Sequence, residues 1–349
     1  MVFKPAERTV PDDILPEAFS LSVPDRESDA YWWKEFDSNE LDSLISLAFT
    51  NNLSIEAAWA RLEQTRASAV MQGSALIPNV GISAGGTRSE QESDEGSTTS
   101  ENYSLGLACS YEIDLWGKLR AVRNSANMEL AASREDLNTT AISLAAEIAT
   151  VWLNIIEQRS QINILKKQLK INETYLELME LRFNNSMASI LDVYQQKQTV
   201  DKIKADIPVA EASERIYMNN LAILLGRTPS ECPEIKTVKL PAMKSLPPTG
   251  IPAKLLDTRP DIRAAQYRLH AADWTVSAAR ANRLPSISLS ASAGYSSDNT
   301  SSLFDNWILS LANEITAPII DGKYRAAEVD KSKAEVKAYL ADYRATVLT

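Results

Sequence analysis

Among side chains that commonly carry catalysis or hold metals, the chain has one histidine, His270, and two cysteines, Cys109 and Cys232. A zinc site needs Cys or His ligands at short spacing, and no CxxC or Cys/His pair is present. His270 falls in a helical stretch and aligns with Glu63 in the internal repeat described below, so it reads as a surface or packing residue. Cys109 lies on the apolar face of an alternating segment. No Ser/His/Asp set, phosphate-binding glycine loop or carboxylate pair stands out, so neither enzyme activity nor a cofactor or metal is expected. What remains are three carboxylates, Glu112, Asp114 and Glu314, on the polar faces of such segments. Their chemistry would be electrostatic, favouring cations in a duct; solvated acids near a strand end fit them equally well.

The composition narrows the class. A net charge of -10 argues against a nucleic-acid partner, which favours a basic face. With 349 residues, 44% hydrophobic and 23% charged, the chain can bury a core and is not broadly disordered. No apolar run is expected to reach the roughly 18 residues of a membrane helix. No secretory signal is legible, because Met1 is followed almost at once by Lys4 and Pro5. A soluble protein fits these absences, and so does one that crosses a membrane by strands, whose signal per segment is weak.

The eleven glycines are unevenly placed. None lies between Gly117 and Gly226, and Lys118 to Ile207 lacks proline too, which is a strong helix signal. A seven-residue apolar repeat runs Ile148, Ile155, Ile162, Leu169, Leu176, Phe183. Beside it runs Leu130, Leu137, Leu144, Val151, Gln158, Leu165, Asn172, Met179. This is a coiled-coil seam with polar interruptions at Gln158 and Asn172. A break is expected at Asn184-Asn185-Ser186, because Asn tolerates left-handed backbone. The pattern resumes with Val193, Val200 and Ile207, and with Ile203, Ala210, Tyr217 and Leu224, before Gly226 as a cap. The first arm, Lys118 to Phe183, would be about 100 Å long and the return arm about half that.

Four stretches alternate strictly. Val80, Ile82, Ala84 and Gly86 face one way against Gly81, Ser83 and Gly85. Tyr103 to Ile113, Ile287 to Tyr295 and Trp307 to Ala317 behave alike, each with a small or polar opposite face. Period two over about ten residues fits transmembrane strands with aromatics near their ends. It also fits half-buried strands of a soluble sandwich. The polar segments Arg88 to Glu101 and Ser296 to Asp305 are expected to be outer loops. Four strands cannot close a barrel, and open edges cannot sit in lipid, so a membrane reading requires an oligomer.

The chain repeats itself. Leu53-Ser54-Ile55-Glu56-Ala57-Ala58 aligns with Pro260-Asp261-Ile262-Arg263-Ala264-Ala265, and Ile77-Pro78-Asn79-Val80 with Leu284-Pro285-Ser286-Ile287. Shifted by two residues, Gly117-Lys118-Leu119-Arg120-Ala121 falls on Gly322-Lys323-Tyr324-Arg325-Ala326. Each copy reads helix, strand, strand, helix. The second stops at Thr349, 27 residues after Gly322, with its hairpin begun and not completed. A longer reading frame is therefore expected downstream. The expected divisions are an extended segment 1–38, a first repeat 39–226 with strand pair 78–114 and hairpin 117–226, a linker 227–258, and an incomplete second repeat 259–349 with strand pair 285–319.

These segments together resemble the outer-membrane efflux proteins, the TolC/OprM-like channels of tripartite pumps. Trp32-Trp33-Lys34-Glu35-Phe36 with Leu41-Asp42-Ser43-Leu44 looks like the family's N-terminal stretch. Tyr111-Glu112-Ile113-Asp114-Leu115-Trp116-Gly117-Lys118 is similar to its second-strand exit, and Leu221-Ala222-Ile223-Leu224-Leu225-Gly226-Arg227 to the end of its first hairpin. Leu255-Leu256-Asp257-Thr258-Arg259-Pro260-Asp261-Ile262-Arg263-Ala264-Ala265 is the most specific match.

The resemblance implies a fold that is mainly α with transmembrane β: a long α-helical coiled-coil barrel and a β-barrel shared by a homotrimer, four strands per protomer. It implies a passive exit duct for drugs or other small solutes in the outer membrane and periplasm. Its partners would be outer-membrane lipid, a periplasmic adaptor and an inner-membrane pump. The stretch from Arg182 to Val193 resembles the hairpin tip where the adaptor docks, which assigns that role to Arg182, Asn184, Asn185, Ser186, Ser189, Leu191 and Asp192. Ser186 replaces the usual Gly, and the two asparagines are expected to supply the left-handed position. Many members begin with a lipidated Cys before a Pro-rich stretch, which Met1-Val2-Phe3-Lys4-Pro5 resembles without the Cys. The rival from another class is a periplasmic coiled-coil adaptor or scaffold without a pore; the duplicated strand pairs argue against it.

Overall fold

The computed structural model describes residues 3, 31–93, 96–241 and 256–349. The expectations for most of 1–30, and for 242–255 of the linker, fall outside them. The elements in order are α1 (Asn39–Asn51), α2 (Leu53–Ser74), β1 (Asn79–Ser93), β2 (Gly96–Ile113), α3 (Lys118–Asn184), α4 (Ile190–Leu224), α5 (Pro260–Ala281), β3 (Ser286–Ser297), β4 (Trp307–Thr316) and α6 (Tyr324–Leu348). Helix, strand, strand, helix thus occurs twice. α3 is 67 residues long, about 100 Å at about 1.5 Å per residue.

One sequence expectation needs correction. α3 does contain a stretch long and apolar enough, by composition, to cross a membrane. Asn138 to Ile156 carries a single charge, Glu147. One side of it, Ala145, Ile148, Trp152 and Ile155, is buried in the core with α1 and α4, while Ile142 is exposed.

The described residues form two compact units. One comprises 31–60 and 137–241. Its core joins Leu41, Leu44, Ile45 and Ala48 of α1 to Ile148, Trp152 and Ile155 of α3, and to Leu221 of α4 with Leu225 just beyond it. The 3, 4, 7 spacing on α1 gives one apolar stripe, and Ser38 caps that helix by accepting the Leu41 N–H. Asn52 links three elements. Its side-chain oxygen accepts the N–H groups of Ser54 and Ile55, and its amide donates to the Leu224 carbonyl at 2.8 Å. The segment after α4 is strapped down. Ile235 is buried in the core, and Glu40 accepts the Lys236 N–H, the Thr237 hydroxyl and the Trp152 indole N–H. Arg159 pairs with Glu214 at 2.6 Å and also donates to the Ile235 carbonyl.

Further along the same unit, the α3–α4 seam buries Ile162 and Leu165 against Ile203 and Ala210. Lys166–Glu211 at 3.1 Å and Lys204–Glu173 at 2.9 Å flank it. A second heptad row stays uncovered: Ile164, Ile171 and Leu178 on α3, with Val209, Ile216 and Ile223 on α4.

The other unit comprises 61–93, 96–136 and 256–349. Leu269, Ala272 and Val276 of α5 pack on Val336, Tyr339 and Leu340 of α6. α5 is pinned to the start of α3 by Arg263–Glu135 at 2.9 Å, by Arg268–Asp136, and by Ser125, which donates to the Ala271 carbonyl. This unit therefore draws on both sequence repeats, whereas the one built on 31–60 and 137–241 draws on the first alone and the segment that follows it.

The strands of this unit form one antiparallel sheet in the order β1-β2-β3-β4. Its register aligns the apolar residues into rows: Val80, Cys109, Ala291, Leu311 in one, and Ile82, Leu107, Ala293, Leu309 in the next. Ile82, Leu107 and Leu311 are exposed, so this apolar face is uncovered in the single chain. Trp116, just past β2, donates its indole N–H to the carbonyl of Pro285, just before β3, at 2.6 Å. The segment Arg88 to Glu101 is not an open loop. β1 and β2 stay paired through it, from Arg88↔Glu101 to Ser93↔Gly96. Its Ser, Thr and Glu residues read as loop by polarity, yet a two-strand ladder satisfies the backbone whatever the side chains, and Arg88–Glu101 at 3.1 Å adds a cross-strand pair.

Candidate functional site

The hairpin tip is built from the end of α3 and the start of α4. α3 ends in a Schellman motif: Met187 N–H donates to the Arg182 carbonyl at 2.7 Å and Ser186 N–H to the Phe183 carbonyl at 2.9 Å. The left-handed residue is Ser186 itself, with φ 58. The expectation that Asn184 or Asn185 would take that position is thus corrected. The motif fixes the left-handed site one residue beyond the last helical pair, whichever side chain stands there, and Asn185 instead donates its amide to the Leu181 carbonyl at 2.7 Å. Three residues on, Ser189 and Asp192 form a capping box. Ser189 Oγ accepts the Leu191 N–H at 3.1 Å, and Asp192 accepts the Ser189 N–H at 2.9 Å.

Two helix ends are thereby closed within a few residues, and the apolar side chains there are left outside. Met187 is 70% exposed, Leu191 60% and Tyr194 61%, beside Leu181 on the other arm. A cleft of about 480 Å³ runs between the arms, lined by Tyr175, Met179, Arg182, Met187, Asp192 and Gln196 among others. The tip therefore joins a hydrogen-bonded turn, exposed apolar residues and a cleft lined by one basic and one acidic residue, Arg182 and Asp192. Asn184, the last residue of α3, lies beside the turn.

The carboxylates of the sheet are divided by the structure. Glu112 and Glu314 share one row of the polar face, each paired with Ser288 of the strand between them. Glu112 holds Lys118 at 2.5 Å, and Glu314 accepts the Thr316 hydroxyl at 3.2 Å. Asp114 is not on that face. β2 ends at Ile113, and Asp114 caps the start of α3 by accepting the N–H groups of Leu119 and Arg120 and the Arg120 guanidinium at 2.9 Å. The alternation misassigned it because the strand stops one residue short. Asp321 closes α6 in the same way, accepting the N–H groups of Lys323 and Arg325. No group of three or more His, Cys, Asp or Glu side chains arranged for a metal occurs among the described residues.

The Glu40 and Arg159 contacts with the strap after α4 had no sequence signal. They join residues far apart in the chain, mostly through backbone groups that every residue carries: the Lys236 N–H and the Ile235 carbonyl, beside the Thr237 hydroxyl.

The sequence profile of the family "Outer membrane efflux protein" matches residues 44–227 and 251–349. The chain is 34% identical over 329 residues to the pyoverdine export outer membrane protein OpmQ of Pseudomonas aeruginosa, covering 91% of this chain and 69% of that protein. The solved outer-membrane channel OprN superimposes with a TM-score of 0.89 at 28% identity, covering 99% of this chain and 80% of OprN. The MtrE outer membrane channel of Neisseria gonorrhoeae gives 0.87 at 26% identity, with 99% and 78% covered. These relatives are transport channels and not enzymes, and they decide between a channel and a poreless adaptor. The chain belongs to the outer membrane efflux protein family and is an outer-membrane channel component of an efflux system.

Proposed function

We propose that the chain works as a homotrimer, in which three four-stranded sheets close one twelve-stranded barrel in outer-membrane lipid and the long helices close a periplasmic duct. The observation that carries this reading is the pair of free sheet edges: β1 and β4 each lack one strand neighbour among the described residues. In lipid, every unpaired N–H or C=O costs several kcal/mol, so the edges must pair. The uncovered heptad row on α3 and α4 calls for neighbouring helices in the same way. Detergent-extracted protein should migrate as a trimer that heat converts to monomer. A protein that stays monomeric and soluble without detergent overturns the reading.

The tip, with Arg182, Asn184, Asn185, Ser186, Ser189, Leu191 and Asp192, is the docking site for a periplasmic adaptor, through which an inner-membrane pump delivers cargo. Exposed apolar residues around a hydrogen-bonded turn and cleft support this. A bulky residue at Ser186 or Ser189 should abolish resistance conferred by the pump without lowering protein level; unchanged resistance counts against docking there. The cargo is proposed as small solutes. OpmQ is named for pyoverdine export, and other relatives for toluene and cation efflux. Glu112 and Glu314 on the duct face would favour cations, and Glu314→Gln should reduce cation selectivity in single-channel recordings. The division into repeats 39–226 and 259–349, with strand pairs 78–114 and 285–319, is part of the same proposal: each repeat supplies one strand pair to the barrel.

A further inference from the structure

The β1–β2 ladder runs on past β3. β2 pairs with β3 only as far as Tyr103↔Ser297, whereas β1 and β2 stay paired beyond that level up to Ser93↔Gly96. The extension points away from α2 and α3, which adjoin the other ends of these two strands. Alternation decides its faces. Its charged residues Arg88, Glu90, Glu92 and Glu101 all lie on the side that carries Ile82 and Leu107 lower down. The other side, from Thr87 to Ser93 and from Gly96 to Asn102, carries no charge among the described residues. The charged rows thus continue the apolar face. They follow directly on its aromatic residues, first Tyr295 beside Trp307, then Tyr103.

We infer that this face of the extension is a lipid-binding surface, on which Arg88 takes the phosphate of an outer-leaflet lipid headgroup. The inference rests on the barrel proposed above, in which the apolar face meets lipid and the helices lie on the periplasmic side.

Depth agrees with it. Tyr and Trp mark the membrane interface. Two residues of strand advance about 7 Å, or about 5 Å along the membrane normal at a tilt near 40°. The headgroup layer is about 5–8 Å deep on each side. Arg88 and Glu101, one row beyond Tyr103, lie within that layer, and Glu90 lies at its outer limit.

The row is also held in place. A Cβ at Gly86 would lie 3.3 Å from the Tyr103 ring, so the ring lies across the glycine opposite it. The Tyr103 hydroxyl donates to one Glu101 oxygen at 3.3 Å, and the other accepts from Arg88 at 3.1 Å. The Glu101 side chain is 34% exposed and that of Arg88 70%. Glu101 occupies one nitrogen of Arg88 and leaves the rest of a planar fork that suits phosphate. Glu90 and Glu92 stand further out on the same face and repel phosphate there, which confines the headgroup to the level of Arg88.

Reconstitution tests it. The full chain is placed in vesicles of digalactosyl diacylglycerol, which has no phosphate, and in the same vesicles with phosphatidylglycerol added. Phosphatidylglycerol should raise the temperature at which the trimer dissociates, as a ligand of the folded form does. Arg88→Ala and Arg88→Gln should match the parent in galactolipid alone and lose at least half of that rise; Arg88→Lys should keep more of it. An undiminished rise in both variants, or no rise in the parent, overturns the site. Variants already weaker in galactolipid by the whole difference show a purely structural Arg88 and overturn it too. An equal rise from sodium phosphate overturns the lipid as ligand. Spin labels check the face. On a Cys109→Ala, Cys232→Ala background, nickel chelated to a lipid headgroup should relax a label at Thr99→Cys and not one at Ser89→Cys; the reverse overturns the surface. Sedimentation separates the two readings: a trimer without the rise overturns the lipid site alone, and a monomer overturns the barrel with it.

Discussion

Gln196 of α4 donates its side-chain amide to both oxygens of Asn172 on α3, backbone and side chain, each at 3.0 Å. Asn172 is one of the two polar interruptions of the heptad seam. A polar pair in such a seam fixes register at a cost in stability, and replacing both partners with apolar groups can be stabilising. The double substitution Asn172→Leu, Gln196→Leu should raise the denaturant midpoint by the equivalent of about 1 kcal/mol. Hydrogen exchange over the hairpin should nevertheless speed up as its register loosens. A raised midpoint with unchanged protection would deny the pair its register role.

Ser186 holds a left-handed backbone that costs a non-glycine residue about 1–2 kcal/mol. Ser186→Gly should therefore stabilise the hairpin by about 1 kcal/mol, and Ser186→Val should destabilise it. Thermal unfolding of the two variants checks the order.

Gly226 ends α4 in a second Schellman motif, with φ 67. A Cβ there would lie 2.1 Å from the Asn51 carbonyl oxygen, at the α1–α2 junction that Asn52 ties to Leu224. Backbone cannot yield as a side chain can. Gly226→Ala should cost at least about 2 kcal/mol and sharply lower the yield of folded protein. Gly226→Asn, which suits the dihedral but not the space, should do no better. Recovery with Asn would show that conformation and not contact limits this site.

Burial pushes the Glu40 carboxyl up, but hydrogen bonds from Thr237, the Lys236 N–H and Trp152 outweigh it, so its pKa lies below the ordinary carboxylate value. A depressed folded pKa contributes stability above the unfolded value and loses it as pH falls through the folded one. The strap after α4 should thus hold at neutral pH and weaken only below the ordinary carboxylate range. Glu40→Gln should be less stable at pH 7 and show a flatter acid limb than the parent. Parallel unfolding curves from pH 7 to 3 would contradict this.

The sequence by itself determined the elements and their order. Without Gly and nearly without Pro, 118–184 and 190–224 are helix on either side of the turn, and their heptads set the seam that buries Ile162 against Ile203. Strict alternation set the strand faces, because side chains alternate along any strand. At the tip, Ser189 and Asp192 were legible through the family resemblance, though their capping roles emerge only in three dimensions. Tertiary structure decided where local signals were ambiguous or absent. It put the left-handed turn on Ser186 because the helix end dictates the position. It moved Asp114 from the strand face to a helix cap because β2 stops at Ile113. It kept Arg88–Glu101 as strand because a ladder depends on backbone pairing, to which composition is a poor guide. The contacts of Glu40 and Trp116 span more than a hundred residues and form only when folding brings those ends together.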